Sequence, residues 1–363
     1  MRYELSPKNT VIVRGPASVI LLAGQATVLA CRFTPHQVKI IANQKQLPIE
    51  TESSAELEIT LEKSGRMFEV QGSTIPDSWR LAAATAEQLQ EGKVVILGPP
   101  DVGKSTLCVY LVNKLLQSGQ TPCVIDADIG QADMGPPTTI ARAVPTEPIS
   151  SMQELKPDRR FFIGNISPSG VERKLIHGIL KLSAEGERQL SIINTDGWVV
   201  GPEALRYKVN LLTQLQPDLV LGLAYSNELK PILDSVRFHS MKIAAAKDAL
   251  ERSRVDRRSI RTEAYRRALE GAVTRRVSME KVQMSFPPGI RGVNRSDRRA
   301  LSNLIAGILD DEGYLVQIGI LMSIDDEEIV TYSSPAEAFH KIEVGDVKLS
   351  RSGNEIGFLE VPD

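Results

Sequence analysis

The chain contains few of the residues from which disulfide frameworks, metal centres and membrane spans are built. Among its 363 residues, three are cysteine and four are histidine. Cys31, Cys108 and Cys123 lack C-x-x-C spacing, which argues against disulfides and structural zinc and predicts packed thiols. No unbroken apolar run reaches the ~18 residues of a membrane-spanning helix, and the N-terminus MRYELSPKNT lacks the apolar core of a signal peptide. These absences predict a cytoplasmic protein with no membrane partner.

The chain also lacks a strong net charge. It carries 43 Lys and Arg against 45 Asp and Glu, a formal net charge of −2, which excludes a globally basic nucleic-acid-binding protein. This balance conceals a local asymmetry, because residues 252–276 contain nine arginines and three acids. A solvated face explains such a run as well as a binding surface does, but the exclusive use of arginine suits the recognition of phosphate groups.

What the chain does contain is a phosphate-binding motif. GPPDVGKST, residues 98–106, fills the pattern G-x-x-x-x-G-K-[ST]. The glycines allow the backbone to wrap closely around a phosphate, and the positive N-terminal end of the following helix favours anions. Lys104 supplies a cation for the β- and γ-phosphates, and Ser105 supplies a hydroxyl for Mg²⁺. The residues expected to bind the nucleotide are Gly98, Pro99, Pro100, Asp101, Val102, Gly103, Lys104, Ser105 and Thr106.

The sequence on both sides of this motif supports it. KVVIL at 93–97 predicts a buried parallel strand, and residues 105–118 carry Leu107, Leu111, Val112 and Leu115 at helical spacing. The alternative is an ordinary glycine turn between a strand and a helix. A complete motif in the expected strand–loop–helix context disfavours that alternative.

The rest of the chain predicts an α/β fold, in which a P-loop domain with a mostly parallel sheet is flanked by two small β-rich domains. Residues 1–88 contain short β-prone runs and predict an antiparallel sandwich or barrel. Residues 89–285 alternate strands with helices, including helices at about 171–185, 203–216 and 227–237, as a parallel sheet requires. Residues 286–363 predict one helix near 296–310 followed by short strands.

Two acidic residues follow the second strand of the central domain, in DADIGQ. Asp126 and Asp128 are two positions apart on an extended segment, so we expect them on the same face, at the strand ends where α/β sheets bind ligands. One carboxylate there suits the orientation of Mg²⁺ through its water, and the other suits acceptance of a proton from an attacking hydroxyl. The alternative is a pair of solvated turn acids.

Two further segments carry candidate binding residues. The fourth strand ends in NTDGWVV, which is expected to place Asn194, Thr195, Gly197 and Trp198 at the same sheet edge as the aspartates. Trp198 either caps the core or stacks on a base. In the arginine-rich stretch, Arg257 and Arg261 are four apart, so they share one face if the segment is helical. Such a pair could neutralise charge on a transferring phosphoryl group.

Five segments together carry a resemblance to a known family. They are GPPDVGKST, DADIGQ, INTDGWV, ERSRVDRRSIR and LDDEGYLVQIGIL. In combination they resemble the polynucleotide 5′-hydroxyl kinase family, which includes the RNA kinase subunit of the eukaryotic pre-mRNA 3′-end cleavage machinery and its archaeal relatives. Members have a P-loop kinase domain between two small β domains and move the γ-phosphate of a nucleoside triphosphate to the 5′-hydroxyl of RNA or DNA. The resemblance therefore implies ATP, or another triphosphate, and Mg²⁺ as cofactors.

The resemblance also implies roles for individual residues. Lys104 binds phosphate, Ser105 and Asp126 contribute to the metal site, and Asp128 is the general base. Thr195 and Trp198 match the clasp that grips the end of the nucleic acid. The residues expected to bind the substrate are Gln131, Thr195, Gly197 and Trp198. Those expected to act in catalysis are Asp128, Lys104 and the two lid arginines, Arg257 and Arg261.

Two other functions remain open from the sequence. A P-loop switch or ATPase would use water as its nucleophile, which needs neither a clasp nor an arginine lid. A non-catalytic subunit that binds ATP for structural reasons would be expected to have lost Lys104, Asp128 or the lid arginines, and all of them are present. The favoured partner is therefore the 5′-hydroxyl end of RNA, with DNA as a second candidate, and the sequence leaves protein partners unknown.

Overall fold

The structure, a computed structural model, describes residues 1–185, 188–287, 300–335 and 341–359. Within these ranges the α-helices are α1 (Asp77–Glu87), α2 (Lys104–Gln117), α3 (Glu172–Ala184), α4 (Pro202–Leu215), α5 (Lys230–Asp234) and α6 (Arg254–Ala268). The first strands are β1 (Arg2–Leu5), β2 (Asn9–Arg14), β3 (Ala17–Gly24), β4 (Ala26–Val28), β5 (Cys31–Phe33), β6 (Val38–Ile41), β7 (Gln46–Glu50), β8 (Ala55–Leu61), β9 (Arg66–Gln71), β10 (Gly92–Leu97), β11 (Cys123–Ala127) and β12 (Thr139–Ala143). The later strands are β13 (Arg159–Phe162), β14 (Leu190–Thr195), β15 (Leu219–Ala224), β16 (Ser240–Ala244), β17 (Val273–Ser278), β18 (Gln283–Ser285), β19 (Leu304–Leu309), β20 (Leu315–Ile324), β21 (Glu328–Ser333), β22 (Lys341–Leu349) and β23 (Glu355–Phe358).

The chain divides into two compact units. Unit 1 comprises Met1–Val124, Val144–Lys156 and Gly186–Ser253, and unit 2 comprises Ile125–Ala143, Pro157–Glu185 and Arg254–Asp363. The boundary falls within β11, whose first residues belong to unit 1 and whose last residues belong to unit 2.

The N-terminal part of unit 1 consists of two antiparallel sheets. One has the strand order β1-β8-β3-β6 and the other the order β5-β4-β7-β2-β9. Burial alternates along β3 and β8, which is typical of strands with one face on a hydrophobic core. Leu21, Ile49, Leu57 and Ile59 are fully buried. These sheets agree with the predicted antiparallel β domain, and β1, β5 and β7 are additions to the strands that the sequence predicts.

The nucleotide-binding part of unit 1 is built on parallel strands. β14, β10, β15 and β16 are neighbours in that order, and each pairing is parallel. The run Val94, Val95, Ile96 and Leu97 in β10 is fully buried, as expected of a strand covered on both faces. α2 follows β10 directly after the phosphate-binding loop, which confirms the predicted strand–loop–helix order.

Unit 2 contains a second large sheet. Its strand order is β17-β21-β20-β19-β22-β18, with β23 beside β22. The pairings are antiparallel except that of β18 with β22. Tyr265 of α6 and Leu269 just beyond it share a hydrophobic cluster with Ile320 and Leu349 of this sheet. The C-terminal end of α6 is therefore anchored by apolar packing, although the helix is otherwise polar.

The predicted fold class is confirmed, with corrections to individual elements. The helix predicted near 296–310 is wrong for Leu304–Leu309, which form the central strand β19, and residues 296–299 lie outside the described residues. The run LIAGIL is buried almost throughout, and a short apolar run of this kind does not distinguish a buried strand from a helix. The helix predicted at 227–237 is limited to Lys230–Asp234, and β13 pairs antiparallel with β12 rather than joining as a parallel strand.

The division into domains at 1–88, 89–285 and 286–363 stays a prediction. β17 and β18 precede residue 286 and belong to the same sheet as β19. The three cysteines are buried free thiols, as predicted. In the ranges that the structure describes, no helix is long and apolar enough to cross a membrane.

Candidate active site

The phosphate-binding loop connects β10 to α2 in unit 1. Gly103, the residue before α2, has a φ of 101°, which lies in the left-handed region. A Cβ atom at this position would lie 3.1 Å from the Cβ of Ala246. Glycine is therefore favoured here by the backbone conformation, and a Cβ atom would also make a tight contact. The positive end of α2 begins directly after Gly103, where a phosphate would be bound.

Lys104 lies over the loop that it follows. Its side chain is buried, and its Nζ donates hydrogen bonds to the carbonyl oxygens of Gly98 at 2.9 Å and Pro99 at 2.8 Å. The ammonium group is thus held at the loop, where the predicted phosphates would bind. In the first turn of α2, the Oγ of Ser105 accepts a hydrogen bond from Asn194 Nδ2 at 3.4 Å, so β14 contributes to the same site.

An arginine that sequence reasoning had not assigned contacts the phosphate-binding loop. Asp101 has a φ of 61°, and its carboxylate accepts hydrogen bonds from the backbone N–H of Arg252 at 3.0 Å and from Arg252 Nη1 at 3.2 Å. Arg252 Nε also donates to the carbonyl oxygen of Gln44 at 3.1 Å. Arg252 therefore ties the phosphate-binding loop to the N-terminal β domain. It stands in the arginine-rich stretch, but its partner is 151 positions away.

The predicted clasp residues lie at the end of β14 and just beyond it, against the phosphate-binding loop. Thr195 is fully buried, and its Oγ1 donates to the carbonyl oxygen of Ile96 at 2.8 Å, which joins it to β10. A Cβ atom on Gly197 would lie 2.7 Å from Cγ and 2.8 Å from N of Pro100. Only glycine allows the clasp segment to approach the phosphate-binding loop this closely. The structure thus brings two of the predicted binding segments together.

Trp198 is half-buried and stacks on Tyr207 of α4, with the ring centroids 6.0 Å apart and the planes inclined by 26°. Asp196, between two of the predicted residues, forms a buried ion pair with Lys208 of α4. Sequence reasoning had not identified these three supporting residues. The available signal was Lys208 itself, because it occupies a position in the buried face of α4 that helical spacing assigns to apolar residues.

In unit 2, the two aspartates occupy different environments. Asp126 is almost fully buried, and its Oδ2 accepts hydrogen bonds from the backbone N–H groups of Asp133 at 2.7 Å and Met134 at 3.2 Å. Burial, together with the negative charges of Asp133 and Asp128, raises the pKa of Asp126 to about 7. A bound cation would favour its ionised form.

Asp128 lies just beyond β11 and is partly exposed. Its Oδ1 accepts hydrogen bonds from the backbone N–H groups of Gly130 at 3.2 Å and Gln131 at 3.0 Å. The Nε2 of Gln131 donates to the carbonyl oxygen of Gly130 at 2.6 Å. Asp126, Asp128 and Gln131 therefore belong to one ordered turn, in which Asp128 is the more accessible carboxylate.

Arg257 and Arg261, the predicted lid arginines, lie on α6 in unit 2, so the condition for the two to share one face is met. Arg261 forms a two-pronged ion pair with Glu355 of β23, in which Nη2 and Oε2 are 2.9 Å apart. Arg258 donates to the carbonyl oxygen of the same glutamate. The pair is mostly shielded from solvent, with side-chain exposures of 14% and 7%. Arg261 therefore anchors α6 to Glu355 of β23. The two residues are 94 positions apart, and the sequence did not indicate this contact.

Comparison with known proteins shows which proteins this chain resembles. Residues 98–271 match the family described as mRNA cleavage and polyadenylation factor CLP1 P-loop. A polyribonucleotide 5′-hydroxyl-kinase of Pyrococcus furiosus is 29% identical, over 74% of this chain and 90% of the relative. A second, from Methanocaldococcus jannaschii, is 26% identical over the same shares of the two chains. These matches make the chain similar to the polynucleotide 5′-hydroxyl kinases.

The family match contains every residue that the sequence assigns to the site, since these residues lie between 98 and 261. The polyribonucleotide 5′-hydroxyl-kinase Clp1 of Xenopus tropicalis is 27% identical over 52% of this chain and 46% of the relative. The solved structure of the wild-type Clp1p–Pcf11p complex matches 96% of this chain and 98% of that chain, with a TM-score of 0.71 and 13% identity. That last likeness shows the shared fold.

Proposed function

We propose that this chain transfers the γ-phosphate of ATP, or of another nucleoside triphosphate, to the 5′-hydroxyl of RNA, with DNA as a second substrate to be tested. The observation that carries the proposal is the contact of Gly197 with Pro100, which joins the segment bearing Trp198 to the phosphate-binding loop. An enzyme that activates water needs no aromatic side chain beside its phosphates. The names of the archaeal relatives, which match 74% of this chain, support the same activity.

The predicted metal ligands fit Mg²⁺ chemically. Ser105 offers a hydroxyl and Asp126 a carboxylate, both of which are hard oxygen donors of the kind that Mg²⁺ prefers. Among the described residues, no group of three or more His, Cys, Asp and Glu side chains could hold a metal ion alone. This suits Mg²⁺ in phosphoryl transfer, which takes one or two protein oxygens and completes its shell with phosphates and water. When bound, the ion neutralises charge on the β- and γ-phosphates.

The chain's own residues would carry out the remaining steps. Lys104, which now contacts two loop carbonyls, would donate to the β- and γ-phosphates. The oxygen of the 5′-hydroxyl forms a bond to the γ-phosphorus while the bond from that phosphorus to the leaving diphosphate breaks, and Asp128 accepts the hydroxyl proton. Arg257 and Arg261 would offset the charge that develops on the transferring group.

The proposal is tested by incubating the purified protein with γ-labelled ATP and matched 5′-hydroxyl RNA and DNA oligonucleotides. We expect label on the oligonucleotide. Label on free phosphate alone would identify an ATPase or switch, and label on neither would identify a subunit that binds ATP without turning it over. Repeating the assay with all four triphosphates determines which of them is preferred.

Activity is expected to depend on a divalent cation. The loop and Lys104 provide too little positive charge to offset the triphosphate, so chelation by excess EDTA should reduce transfer to background and added Mg²⁺ or Mn²⁺ should restore it. The measurement is the initial rate against free metal concentration. Unchanged transfer in excess chelator would contradict the assignment of Ser105 and Asp126 to a metal site.

Replacement of Asp128 by asparagine is expected to lower the turnover rate by ~10²–10⁴-fold, the typical contribution of a general base. Asparagine keeps an oxygen that can accept the hydrogen bonds of Gly130 and Gln131, so the turn should persist. Asp126→Asn is the matched variant in the same turn. If it lowers the turnover rate more than Asp128→Asn does, the roles of the two aspartates are assigned wrongly.

A further inference from the structure

Lys208 is a charged residue at a position of α4 where helical spacing predicts an apolar one. It lies in the face of α4 that also carries Ala204, Tyr207, Leu211 and Leu215, all of them buried, and its own side chain has no solvent exposure. A lysine is seldom fully buried without a partner, because its charge loses hydration. Its presence there requires a compensating group and suggests a purpose other than packing.

The compensating group is Asp196, which lies within the segment that bears Trp198. Lys208 Nζ donates to Asp196 Oδ2 at 2.8 Å and to the Asp196 carbonyl oxygen at 3.2 Å. The hydroxyl of Tyr207 donates to the same Oδ2 at 2.8 Å, and the backbone N–H of Trp198 donates to Oδ1 at 2.9 Å. One buried carboxylate thus fixes the backbone of Trp198 relative to α4.

The ring of Trp198 is held by the same residues. Tyr207 is buried and stacks on Trp198, and the ammonium of Lys208 lies 4.7 Å from the centroid of the Tyr207 ring. Tyr207 therefore supports one side of the Trp198 ring. Val200, two positions further along the same segment, is exposed to solvent. The indole is restrained through both its backbone and its face, as a preorganised binding group requires.

The resemblance assigns Trp198 to the clasp that grips the end of the nucleic acid, and we propose that Asp196, Tyr207 and Lys208 are positioning residues that hold this ring preformed for a base to stack on it. This inference rests on the proposed function. An aromatic ring that is fixed before binding loses little side-chain entropy when a base stacks on it, so the network increases affinity for the nucleic acid. The contact of Gly197 with Pro100 places this platform segment beside the phosphate-binding loop.

The test is a double-mutant cycle on steady-state constants. Trp198→Ala should raise the KM for a 5′-hydroxyl RNA oligonucleotide by ~10–100-fold and leave the KM for ATP nearly unchanged. Lys208→Met, which keeps the length of the side chain, should raise the oligonucleotide KM by ~3–10-fold. In the Trp198→Ala background, Lys208→Met should have no further effect on that KM, since it acts through the tryptophan.

Variants of Tyr207 keep the proposal testable if Lys208→Met does not fold. Tyr207→Phe retains the stacked ring and should resemble the wild-type protein more closely than Tyr207→Leu, which removes it. If the Tyr207 or Lys208 variants change the oligonucleotide KM equally with and without Trp198, the proposal is overturned. The ion pair of Lys208 with Asp196 would then have only a structural role. An effect on the KM for ATP as large as that for the oligonucleotide would overturn it as well.

Binding can be measured apart from catalysis by tryptophan fluorescence. The chain has two tryptophans, of which Trp79 is buried, so a bound oligonucleotide is expected to change mainly the emission of Trp198. A 5′-hydroxyl RNA oligonucleotide should quench fluorescence in the wild-type protein but not in Trp198→Phe, which retains Trp79. The quenching midpoint should rise in Lys208→Met. Quenching that depends on Trp198, without phosphate transfer, would support the platform and reject the kinase proposal. Phosphate transfer in which Trp198 affects neither quenching nor KM would support the kinase proposal and reject the platform.

Discussion

Replacement of Lys104 by alanine is expected to abolish phosphate transfer, with a loss of at least ~10³-fold in turnover rate. The ammonium of Lys104 lies at the phosphate-binding loop and donates hydrogen bonds to the carbonyl oxygens of Gly98 and Pro99. The motif GPPDVGKST contains no other positively charged residue. In the proposed mechanism, removal of Lys104 takes away the motif's cation for the charge that develops on the transferring group. The measurement is transfer of label from ATP to a 5′-hydroxyl RNA oligonucleotide.

The fold should tolerate this change. Lys104→Ala removes two hydrogen bonds from a charged donor, each with a typical net value of about 1.5–3 kcal/mol, so we expect a measurable but partial loss of thermal stability. Lys104→Met keeps the side-chain length and should be equally inactive. Lys114→Ala, on the same helix but ten positions further, is the matched control and should retain activity. Full phosphorylation by Lys104→Ala would remove the phosphate-binding loop from the mechanism.

Replacement of Arg257 by alanine is expected to lower the turnover rate by ~10³-fold or more while changing the affinity for ATP little. An arginine that closes over a triphosphate acts mainly on the transition state, because charge on the phosphoryl group develops there. Arg266→Ala is the matched control, since Arg266 lies on the same helix, is exposed and pairs with Glu263. The constants to compare are the turnover rate at saturating substrate and the dissociation constant for ATP.

Arg261 needs a second comparison, because its guanidinium holds Glu355 in the structure. Arg261→Ala would remove both this anchor of α6 and any role in catalysis. Glu355→Gln weakens the anchor and leaves the arginine in place. If Arg261 acts on the transition state, we expect Arg261→Ala to be ~10³-fold slower than Glu355→Gln. Equal rates for the two variants would show that Arg261 serves only to hold the helix.

The competing explanation for these arginines is a grip on the nucleic-acid backbone. In that case Arg257→Ala and Arg261→Ala would weaken oligonucleotide binding, flatten its dependence on salt and leave the rate at saturating substrate nearly intact. Measuring the rate and the oligonucleotide affinity at two salt concentrations separates the explanations. A saturating rate close to that of the wild-type protein would end the transition-state role.

The predictions from sequence succeeded where the information is local. The phosphate-binding loop, the strand before it and the helix after it occupy one short segment, and each part follows from its own residues. The helix that carries Arg257 and Arg261 was stated only as a condition for the two side chains to share a face, and the structure meets that condition. The predictions from sequence failed where pairing with neighbouring strands decides whether a segment is a helix or a strand. Leu304–Leu309 is a strand because it lies between β20 and β22, and its apolar residues alone fit a helix equally well.

The sequence by itself determined the nucleotide-binding loop and its strand–loop–helix setting, and it named the candidate catalytic residues, because these depend on short motifs with fixed chemistry. Only the tertiary structure decided which charges meet. Arg252 reaches Asp101 across 151 positions, and Arg261 reaches Glu355 across 94. Lys208 finds its buried partner Asp196 because α4 turns one particular face toward the end of β14. Such pairings depend on the packing of whole elements, which no local pattern of residues encodes.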